Sequence, residues 1–334
     1  MSKTIVSILS EHLVPNLIFI REMEGTYSDL LFITTPLMEQ RCSGIHLETA
    51  LGLEPESVRR VVVPNDNYRA ILRELEAADL PEGQEYLVNI TGGTKMMSLA
   101  VARYFDRYDS HLVYVPLGTN VYYDLSSEEP YAITYRVTLE EYLTLYGLRY
   151  ECDNSLIQGK KEPFYTFNYM RQKDFVIPWR YTHANEDMRL KPTQRRYMTG
   201  EWFEEYTYLR IKSDFHLRDE DIAKSVKIYR DDSINNDNEL DVTFVRDNAL
   251  YVIECKVTMN GYGKQQKGMV EEYLYKLAAI SKDFGLRVNS YLFTLHKIGE
   301  MPQATQENIK KRMRILGIRD IVDGHKLTDK NIDL

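Results

Sequence analysis

The stretch ELDVTFVRDNALYVIECK, from Glu239 to Lys256, predicts a β-hairpin with acidic side chains and a lysine at its open end. Residues 242–246 and 249–253 are rich in β-branched and aromatic side chains, as strands are. Asp247-Asn248 between them is a two-residue turn that lacks the favoured glycine. Apolar residues occupy both faces of both strands, so we expect the hairpin to lie inside a sheet covered on both sides.

A turn at that position brings four charged side chains to one face. It places Asp241 opposite Glu254 and Glu239 opposite Lys256, with opposed Cβ atoms about 4.5–5.5 Å apart. The simpler explanation is a surface hairpin with cross-strand salt bridges. Against it, Glu254 follows an apolar run directly, where a carboxylate is costly unless it is paired or bound to metal.

The chemistry that suits this face is metal-assisted hydrolysis. Mg²⁺ or Mn²⁺ prefers oxygen ligands and keeps waters that can attack phosphorus. Lys256 would orient or deprotonate the attacking water and stabilise charge in the transition state. The sequence therefore predicts a metal-dependent nuclease site.

This segment resembles the PD-(D/E)xK nuclease superfamily. Asp241 matches the first acidic position and Glu254-Cys255-Lys256 matches the E-x-K, while Leu240 replaces the usual proline. The resemblance implies Asp241, Glu254 and Cys255 as metal ligands and Glu239 as a further catalytic residue.

Superfamily members often carry another acidic residue on the preceding helix, which here is predicted to begin near Thr199. Glu204 is our choice for that residue. Glu201 or Glu205 could take its place, and a solvated helix glutamate explains Glu204 equally well.

Composition limits the other possibilities. The chain has 334 residues, enough for two domains, and a net charge of −8, which argues against a tight duplex binder. Three cysteines without CxxC spacing argue against a disulfide scaffold or structural zinc. Without a signal-peptide pattern or a long apolar run, we expect a soluble, cytoplasmic protein. Local basic groups that could contact nucleic acid are Lys160-Lys161, Lys191 with Arg195-Arg196, and Lys264 with Lys267.

The first 115 residues alternate strand and helix signals, which predicts an α/β fold with a parallel, Rossmann-like sheet. Predicted strands cover residues 4–9, 30–34, 59–63, 86–90 and 111–115, with a short one at 121–125. We expect domains at 1–130 and 196–334, joined by a connector at 131–195. The second domain is predicted to contain a helix, the hairpin, a helix at 264–282, a strand at 289–295 and a helix at 303–316.

The loop Asn89 to Met97, NITGGTKMM, lies where a predicted strand ends and a helix begins. Glycines there let the backbone approach a ligand, and the free N–H groups of the helix start favour phosphate. The spacing matches neither GxxxxGK[ST] nor GxGxxG. A plain glycine turn is the simpler explanation. The loops SEHLVPN, residues 10–16, and Thr34-Thr35 follow earlier strands, where they either bind a ligand or cap strand ends.

These loops resemble the CARF domain, the cyclic-oligoadenylate sensor of type III CRISPR systems. A CARF domain followed by a PD-(D/E)xK nuclease is the architecture of CRISPR ancillary nucleases. The resemblance implies a homodimer with one pocket for cyclic tetra-adenylate, which activates the nuclease allosterically. Residues carried over to that pocket are Ser10, Asn16, Thr34, Thr35, Thr91, Gly92, Gly93, Thr94, Lys95 and Met96.

The resemblance also implies a role in antiviral defence, with single-stranded RNA and DNA as substrates and possible nicking of supercoiled DNA. Two alternatives stay open. CARF domains are also joined to helix-turn-helix modules in transcription regulators, although no compact helix-turn-helix signal is present here. A restriction-type DNA nuclease without nucleotide gating is the other alternative.

Overall fold

The computed structural model describes residues 3–229, 238–257, 266–285 and 288–334, and of residues 266–270 and 283 only the backbone. The chain divides into two compact units. The first comprises Met1–Leu148 with Asp247–Ala249 and Gly285–Arg287, and the second comprises Arg149–Arg246, Leu250–Phe284 and Val288–Leu334. The segment predicted as a connector is thus divided between the units after Leu148. The predicted basic pair Lys264 and Lys267 lies outside the described side chains.

The first unit is built on a seven-stranded sheet in the order β3-β2-β1-β4-β5-β6-β7. Strands β1 to β5 are parallel, and β6 and β7 continue the sheet antiparallel. The prediction of a Rossmann-like α/β fold is confirmed. Its elements are β1 (Lys3–Ile8), α1 (Val14–Glu22), β2 (Asp29–Thr34), α2 (Pro36–Gln40), α3 (Ser43–Ala50), β3 (Arg59–Val62), α4 (Tyr68–Ala77), β4 (Glu85–Asn89), α5 (Lys95–Phe105), β5 (Asp109–Tyr114), β6 (Val121–Asp124), β7 (Tyr131–Ala132) and α6 (Leu139–Thr144).

The order of the strands reverses between β1 and β4. From β1 the chain builds outward to β2 and β3, and from β4 it builds outward to β5 on the other side. Open α/β sheets bind ligands at the carboxyl ends of the strands at such a switch point. The loops after β1 and β4 meet there, and both were predicted to bind a ligand.

The second unit has a six-stranded sheet in the order β13-β12-β11-β10-β9-β8. The strands β8, β9 and β13 were not predicted from the sequence. Its elements are β8 (Arg149–Glu151), α7 (Glu162–Gln172), α8 (Trp179–Thr182), α9 (Pro192–Arg196), a π-helical turn (Tyr197–Glu201), α10 (Trp202–Asp214), β9 (Ile222–Tyr229), β10 (Asn238–Arg246), β11 (Ala249–Lys256), α11 (Gln266–Ser281), β12 (Val288–Thr294), α12 (Gln303–Leu316) and β13 (Asp320–Val322).

The predicted hairpin forms the centre of this sheet as β10 and β11. Its turn is the expected Asp247-Asn248, with φ values of +51° and +60° that match a type I′ turn. Asparagine and aspartate tolerate this left-handed conformation better than other non-glycine residues. Side chains of both alternating sets are buried, among them Phe244 on one set and Leu250 on the other, as predicted. Within the described residues, no helix combines the length and apolarity needed to cross a bilayer.

Candidate active site

The open end of the hairpin gathers two carboxylates and a lysine. Lys256 Nζ lies 2.6 Å from Glu254 Oε1 and 3.4 Å from Asp241 Oδ2. The main-chain N–H of Cys255 donates to Asp241 Oδ2 at 2.7 Å. Glu254 is only 3% exposed, so its charge depends on these close cations. The predicted convergence of Asp241, Glu254 and Lys256 is therefore present in the structure.

Helix α10 brings Glu204 to the same place. Glu204 Oε2 accepts a hydrogen bond from Ser225 Oγ at 3.3 Å and lies 4.0 Å from Lys224 Nζ. Burial raises the pKa of Glu204 to about 7, and repulsion from Asp241 adds to the shift. A carboxyl group with that pKa can hold or release a proton near neutral pH.

The two alternatives to Glu204 have different surroundings. Glu205 forms an ion pair with Lys160 at 2.7 Å, and it does not line the groove that contains Asp241. Glu201 lines that groove and lies 3.4 Å from Lys224. The structure therefore favours Glu204, followed by Glu201, as the additional acidic residue.

These side chains line one open groove of about 600 Å³. Glu239 lies in the groove wall and is exposed to solvent, in agreement with its predicted place beside the other charges. Repulsion from Glu239 contributes to the raised pKa of Glu204. The groove is wide enough for a phosphodiester strand to approach the carboxylates from one side.

Two lysines of this site were missed by sequence reasoning. Lys276 on α11 places Nζ 3.2 Å and 3.3 Å from the two carboxylate oxygens of Glu254. Lys224 on β9 is almost fully buried at the groove wall. Tyr273, three residues before Lys276, lies with its ring 5.2 Å from Lys256 Nζ. Spacing of three on the helix that follows the E-x-K is the signal that could have indicated this face.

The charge states of the central residues follow from burial and mutual attraction. Burial raises the pKa of Asp241, and repulsion from Glu254 raises it further, while Lys256 and the Cys255 N–H oppose the shift. Burial acts to lower the pKa of Lys256, but Asp241 and Glu254 outweigh it and raise the pKa above its ordinary value. Lys256 is therefore an ammonium group that can orient water and stabilise negative charge. In this arrangement it does not act as the base, which was one of its two predicted roles.

The donor set of the site fits a hard divalent cation. Among the described residues, no three His, Cys, Asp or Glu side chains form a metal cage. Mg²⁺, however, is normally held by one or two carboxylates together with waters and substrate phosphate. Asp241 and Glu254 supply those carboxylates. Their repulsion, seen in the raised pKa of Asp241, is what a cation would relieve.

Cys255 requires a correction as a predicted ligand. Its thiol packs in the hydrophobic core with Val242 and Ile253, because strand residues alternate between faces. Burial raises the pKa of the thiol well above its ordinary value, so it stays protonated. Only the main-chain carbonyl of Cys255 is directed to the site, where it accepts a hydrogen bond from Lys256 Nζ at 3.1 Å.

In the first unit, the glycine loop after β4 lies against the end of β1. A Cβ atom at Gly92 would collide with the carbonyl oxygen of Ile8. Gly93 has a φ of +74°, and a Cβ there would come within 2.6 Å of the Ile8 side chain. These two positions therefore require glycine. The following residues Thr94, Lys95 and Met96 are exposed at the start of α5, where they can meet a ligand.

Several predicted ligand residues also have structural roles. Thr94 caps α5 by accepting from Met97 N–H, and Thr35 caps α2 by accepting from Met38 N–H. Thr91 Oγ1 donates to Asn89 Oδ1 at 2.6 Å and accepts from Val115 N–H at 2.8 Å. For these threonines the capping explanation holds, and ligand contact would come in addition.

Other polar atoms at this edge of the sheet lack partners. Asn16 Nδ2 donates to the Ile8 carbonyl at 3.1 Å, but its Oδ1 has no hydrogen-bond partner among the described residues. The same holds for Thr34 Oγ1. Ser10 Oγ makes only long contacts of 3.4 Å with the backbone of His12. Buried groups without partners at a switch point are typical of a ligand site.

A Rossmann-like unit with a ligand edge, combined with a sheet whose central hairpin carries two carboxylates and a lysine, defines a two-domain α/β nuclease. Comparison with protein families agrees: residues 4–142 match the Card1 CARF domain, and residues 191–328 match the Card1-like endonuclease domain. The chain belongs to this family and consists of a CARF domain followed by an endonuclease domain. No curated protein matches the sequence.

Solved structures share the fold. Can2 from Sulfobacillus thermosulfidooxidans in complex with cyclic tetra-adenylate has a TM-score of 0.73 at 21% identity, with 97% of each chain covered. VC1899 from Vibrio cholerae has a TM-score of 0.71 at 20% identity, covering 98% of this chain and 95% of its own. A type III CRISPR defence DNA nuclease activated by cyclic oligoadenylate has a TM-score of 0.58 at 18% identity, covering 88% of this chain and 45% of its own.

Proposed function

We propose that this protein is a metal-dependent endonuclease of type III CRISPR antiviral defence that is switched on by cyclic tetra-adenylate. Its substrates are single-stranded RNA and DNA, with nicking of supercoiled DNA as a further activity. The observation that carries the proposal is the cluster of Asp241, Glu254 and Lys256 in an endonuclease domain joined to a CARF domain.

In the proposed reaction, Asp241, Glu254 and the Cys255 carbonyl hold Mn²⁺ or Mg²⁺. The ion supplies Lewis-acid stabilisation and a more acidic bound water. The Lys256 ammonium donates a hydrogen bond to the attacking water and stabilises charge on the phosphoryl oxygens. Glu204, whose pKa is about 7, takes up or releases a proton at the groove wall.

The activator binds at the switch point of the CARF domain in a homodimer. Cyclic tetra-adenylate has four phosphates, and the N-terminus of α5 with the glycine loop offers backbone N–H groups and Lys95 to them. The cyclic tetra-adenylate complex of Can2, which shares the fold, supports this ligand. Activation requires only that the ligand bind the active state more tightly than the inactive one.

The test is cleavage of labelled single-stranded RNA, single-stranded DNA and supercoiled plasmid with Mn²⁺, with and without cyclic tetra-adenylate. Wild type is compared with Glu254→Gln, which removes one carboxylate charge at nearly constant shape. We expect nucleotide-dependent cleavage that falls at least about 100-fold in the variant. Asp241→Ala should lose RNA and DNA cleavage equally if one site performs both.

The other outcomes point to the two remaining classes. Nucleotide binding without any cleavage would indicate a sensor or transcription regulator. Cleavage that is indifferent to the nucleotide would indicate a restriction-type nuclease without gating.

A further inference from the structure

A second cavity of about 490 Å³ lies beside the catalytic groove within the second unit. It shares Asp153, Glu201 and Lys224 with the lining of that groove, so the two spaces are adjacent. Its volume is within the range of about 300–1,000 Å³ that is typical of small-ligand pockets. No residue of the proposed catalytic mechanism accounts for it.

The walls of this cavity are apolar and aromatic. Ile157, Leu190 and Met198 line it together with Tyr197, which begins the π-helical turn before α10. Single π-helical turns occur frequently at functional sites, because the extra residue changes the direction of the side chains. The result is a slot with an aromatic side chain and aliphatic neighbours, as a flat ring requires.

Two buried polar atoms at the cavity lack partners. Glu205 is 4% exposed, and its Oε1 accepts from Lys160 Nζ at 2.7 Å. Its Oε2 and the Tyr197 hydroxyl have no hydrogen-bond partner within the part of the chain that the structure describes. Both residues line the cavity. A buried polar atom without a partner is unfavourable, so these atoms indicate that a ligand completes the site.

The protonation states define what the ligand must offer. Burial raises the pKa of Tyr197, and repulsion from Glu205 adds to the shift, so the phenol keeps its proton. The cavity therefore presents a carboxylate oxygen that accepts and a hydroxyl that can donate. Because Lys160 pairs with Glu205 and Lys224 with Glu201, neither lysine is left to hold a phosphate. A neutral, flat group with an N–H beside an acceptor fits these conditions.

We propose that this cavity is a base-binding subsite, which holds one nucleobase of the substrate strand next to the scissile phosphate. The base edge donates an N–H to Glu205 Oε2 and accepts from the Tyr197 hydroxyl, and its ring lies against the apolar wall. This inference rests on the proposed nuclease function. It predicts that cleavage depends on the base at one position beside the cut.

The experiment sequences the product ends from a randomised single-stranded oligonucleotide cut by the full-length protein. Glu205→Gln keeps an oxygen for Lys160 but offers N–H groups to the base, and Tyr197→Phe removes the hydroxyl. Matched controls are Glu186→Gln and Tyr165→Phe, at exposed positions outside the cavity. Equal thermal unfolding midpoints establish that all variants are folded.

We expect wild type and both controls to show the same base preference at one position beside the cut. Glu205→Gln should change the preferred base, and Tyr197→Phe should weaken the preference at least about threefold. An abasic nucleotide at that position should lower wild-type kcat/KM about tenfold, because stacking and edge contacts are lost. Unchanged preferences in both variants, or no abasic penalty in wild type, would overturn the proposal.

A binding arm separates this inference from the proposed function. Intact and abasic strands are titrated into Glu254→Gln, which retains the cavity. A tenfold weaker Kd for the abasic strand supports the subsite even if no protein cleaves. Equal Kd values would reject it even if wild type is an active nuclease.

Discussion

The buried Glu254 carboxylate shows how single residues set the character of the active site. Two ammonium groups lie within about hydrogen-bonding distance of it, Lys256 at 2.6 Å and Lys276 at 3.2 Å. Removing both partners from a buried charge would be strongly unfavourable. The lysines therefore stabilise Glu254 in the same place where a divalent cation would act, and a cation must compete with them.

Lys276 gives the clearest test of this competition. Its side chain is 44% exposed and can leave Glu254 without a large rearrangement. We expect Lys276→Gln to bind Mn²⁺ about three- to tenfold more tightly, because a competing positive charge is removed. Isothermal titration calorimetry measures this, with the exposed Lys282→Gln as control. Unchanged or weaker Mn²⁺ binding in Lys276→Gln would contradict the competition.

Glu204 predicts a pH dependence of stability in the metal-free protein. Burial raises its pKa to about 7, so the folded state binds this proton more tightly than the unfolded state. The stabilising contribution is complete below the ordinary carboxyl pKa and is lost as the pH rises through about 7. Relative to Glu204→Gln, wild type should lose about 2 kcal/mol of unfolding free energy between about pH 5 and pH 8. Urea unfolding in the presence of a chelator gives both curves, and parallel curves would exclude the shift.

Among the elements, strand β9 was missed, although it supplies two groove residues. Its sequence IAKSVKIY interrupts the apolar alternation with Lys224 and Ser225, which hid the strand. Ser225 also has a φ of +49°, unusual within a strand. It donates to Glu204, so the distortion lies at the catalytic groove, where strained residues tend to cluster.

The strain at Ser225 can be measured by comparing two substitutions. Ser225→Gly and Ser225→Ala both lose the hydrogen bond to Glu204, but only glycine adopts a positive φ freely. We expect Ser225→Gly to be more stable than Ser225→Ala by about 1 kcal/mol. In an ordinary strand the order would be reversed, so the sign found by chemical denaturation decides.

The turn between β10 and β11 depends on Asn248 as an element of the first unit. Its Oδ1 accepts from Val137 N–H at 2.8 Å, and its Nδ2 donates to Asn120 Oδ1 at 3.0 Å and to the Tyr135 carbonyl at 3.1 Å. Asn248→Ala leaves these buried groups without partners and keeps a strained φ, so we expect a loss of about 2–3 kcal/mol. Asn248→Gly removes the strain and should lose about 1 kcal/mol less. Equal unfolding free energies for wild type and Asn248→Ala would refute this role.

Elements that depend on neighbouring residues were predictable from the sequence. The Asp247-Asn248 turn, the parallel strands and the convergence of Asp241 with Glu254 all follow from local patterns. Lys276 and the cavity around Glu205 depend on packing between distant segments, which no periodicity reveals. The Cys255 thiol was mistaken for a ligand because the alternation of strand side chains was not applied to it.

For the whole molecule, nucleotide binding and catalysis should be separable by mutation. A ligand that binds only the folded state raises its stability by about 2.7 kcal/mol at one hundred times Kd. We expect cyclic tetra-adenylate to raise the Tm of wild type and of Glu254→Gln alike. Lys95→Ala, at an exposed position, should lose most of this shift while folding normally. An unchanged shift in Lys95→Ala would remove that residue from the binding site.

The path of the chain has a consequence for how such a protein can be inherited and recombined. The chain passes from one unit to the other after Leu148, Arg246, Ala249, Phe284 and Arg287. A single crossover between two genes would therefore separate the Asp247–Ala249 turn from the unit in which Asn248 makes its hydrogen bonds. A gene that exchanged its nuclease half at Leu148 would carry a foreign turn into its own first unit. Each half is thus expected to diverge in company with the other, and chimaeras should keep the turn with the unit that holds it.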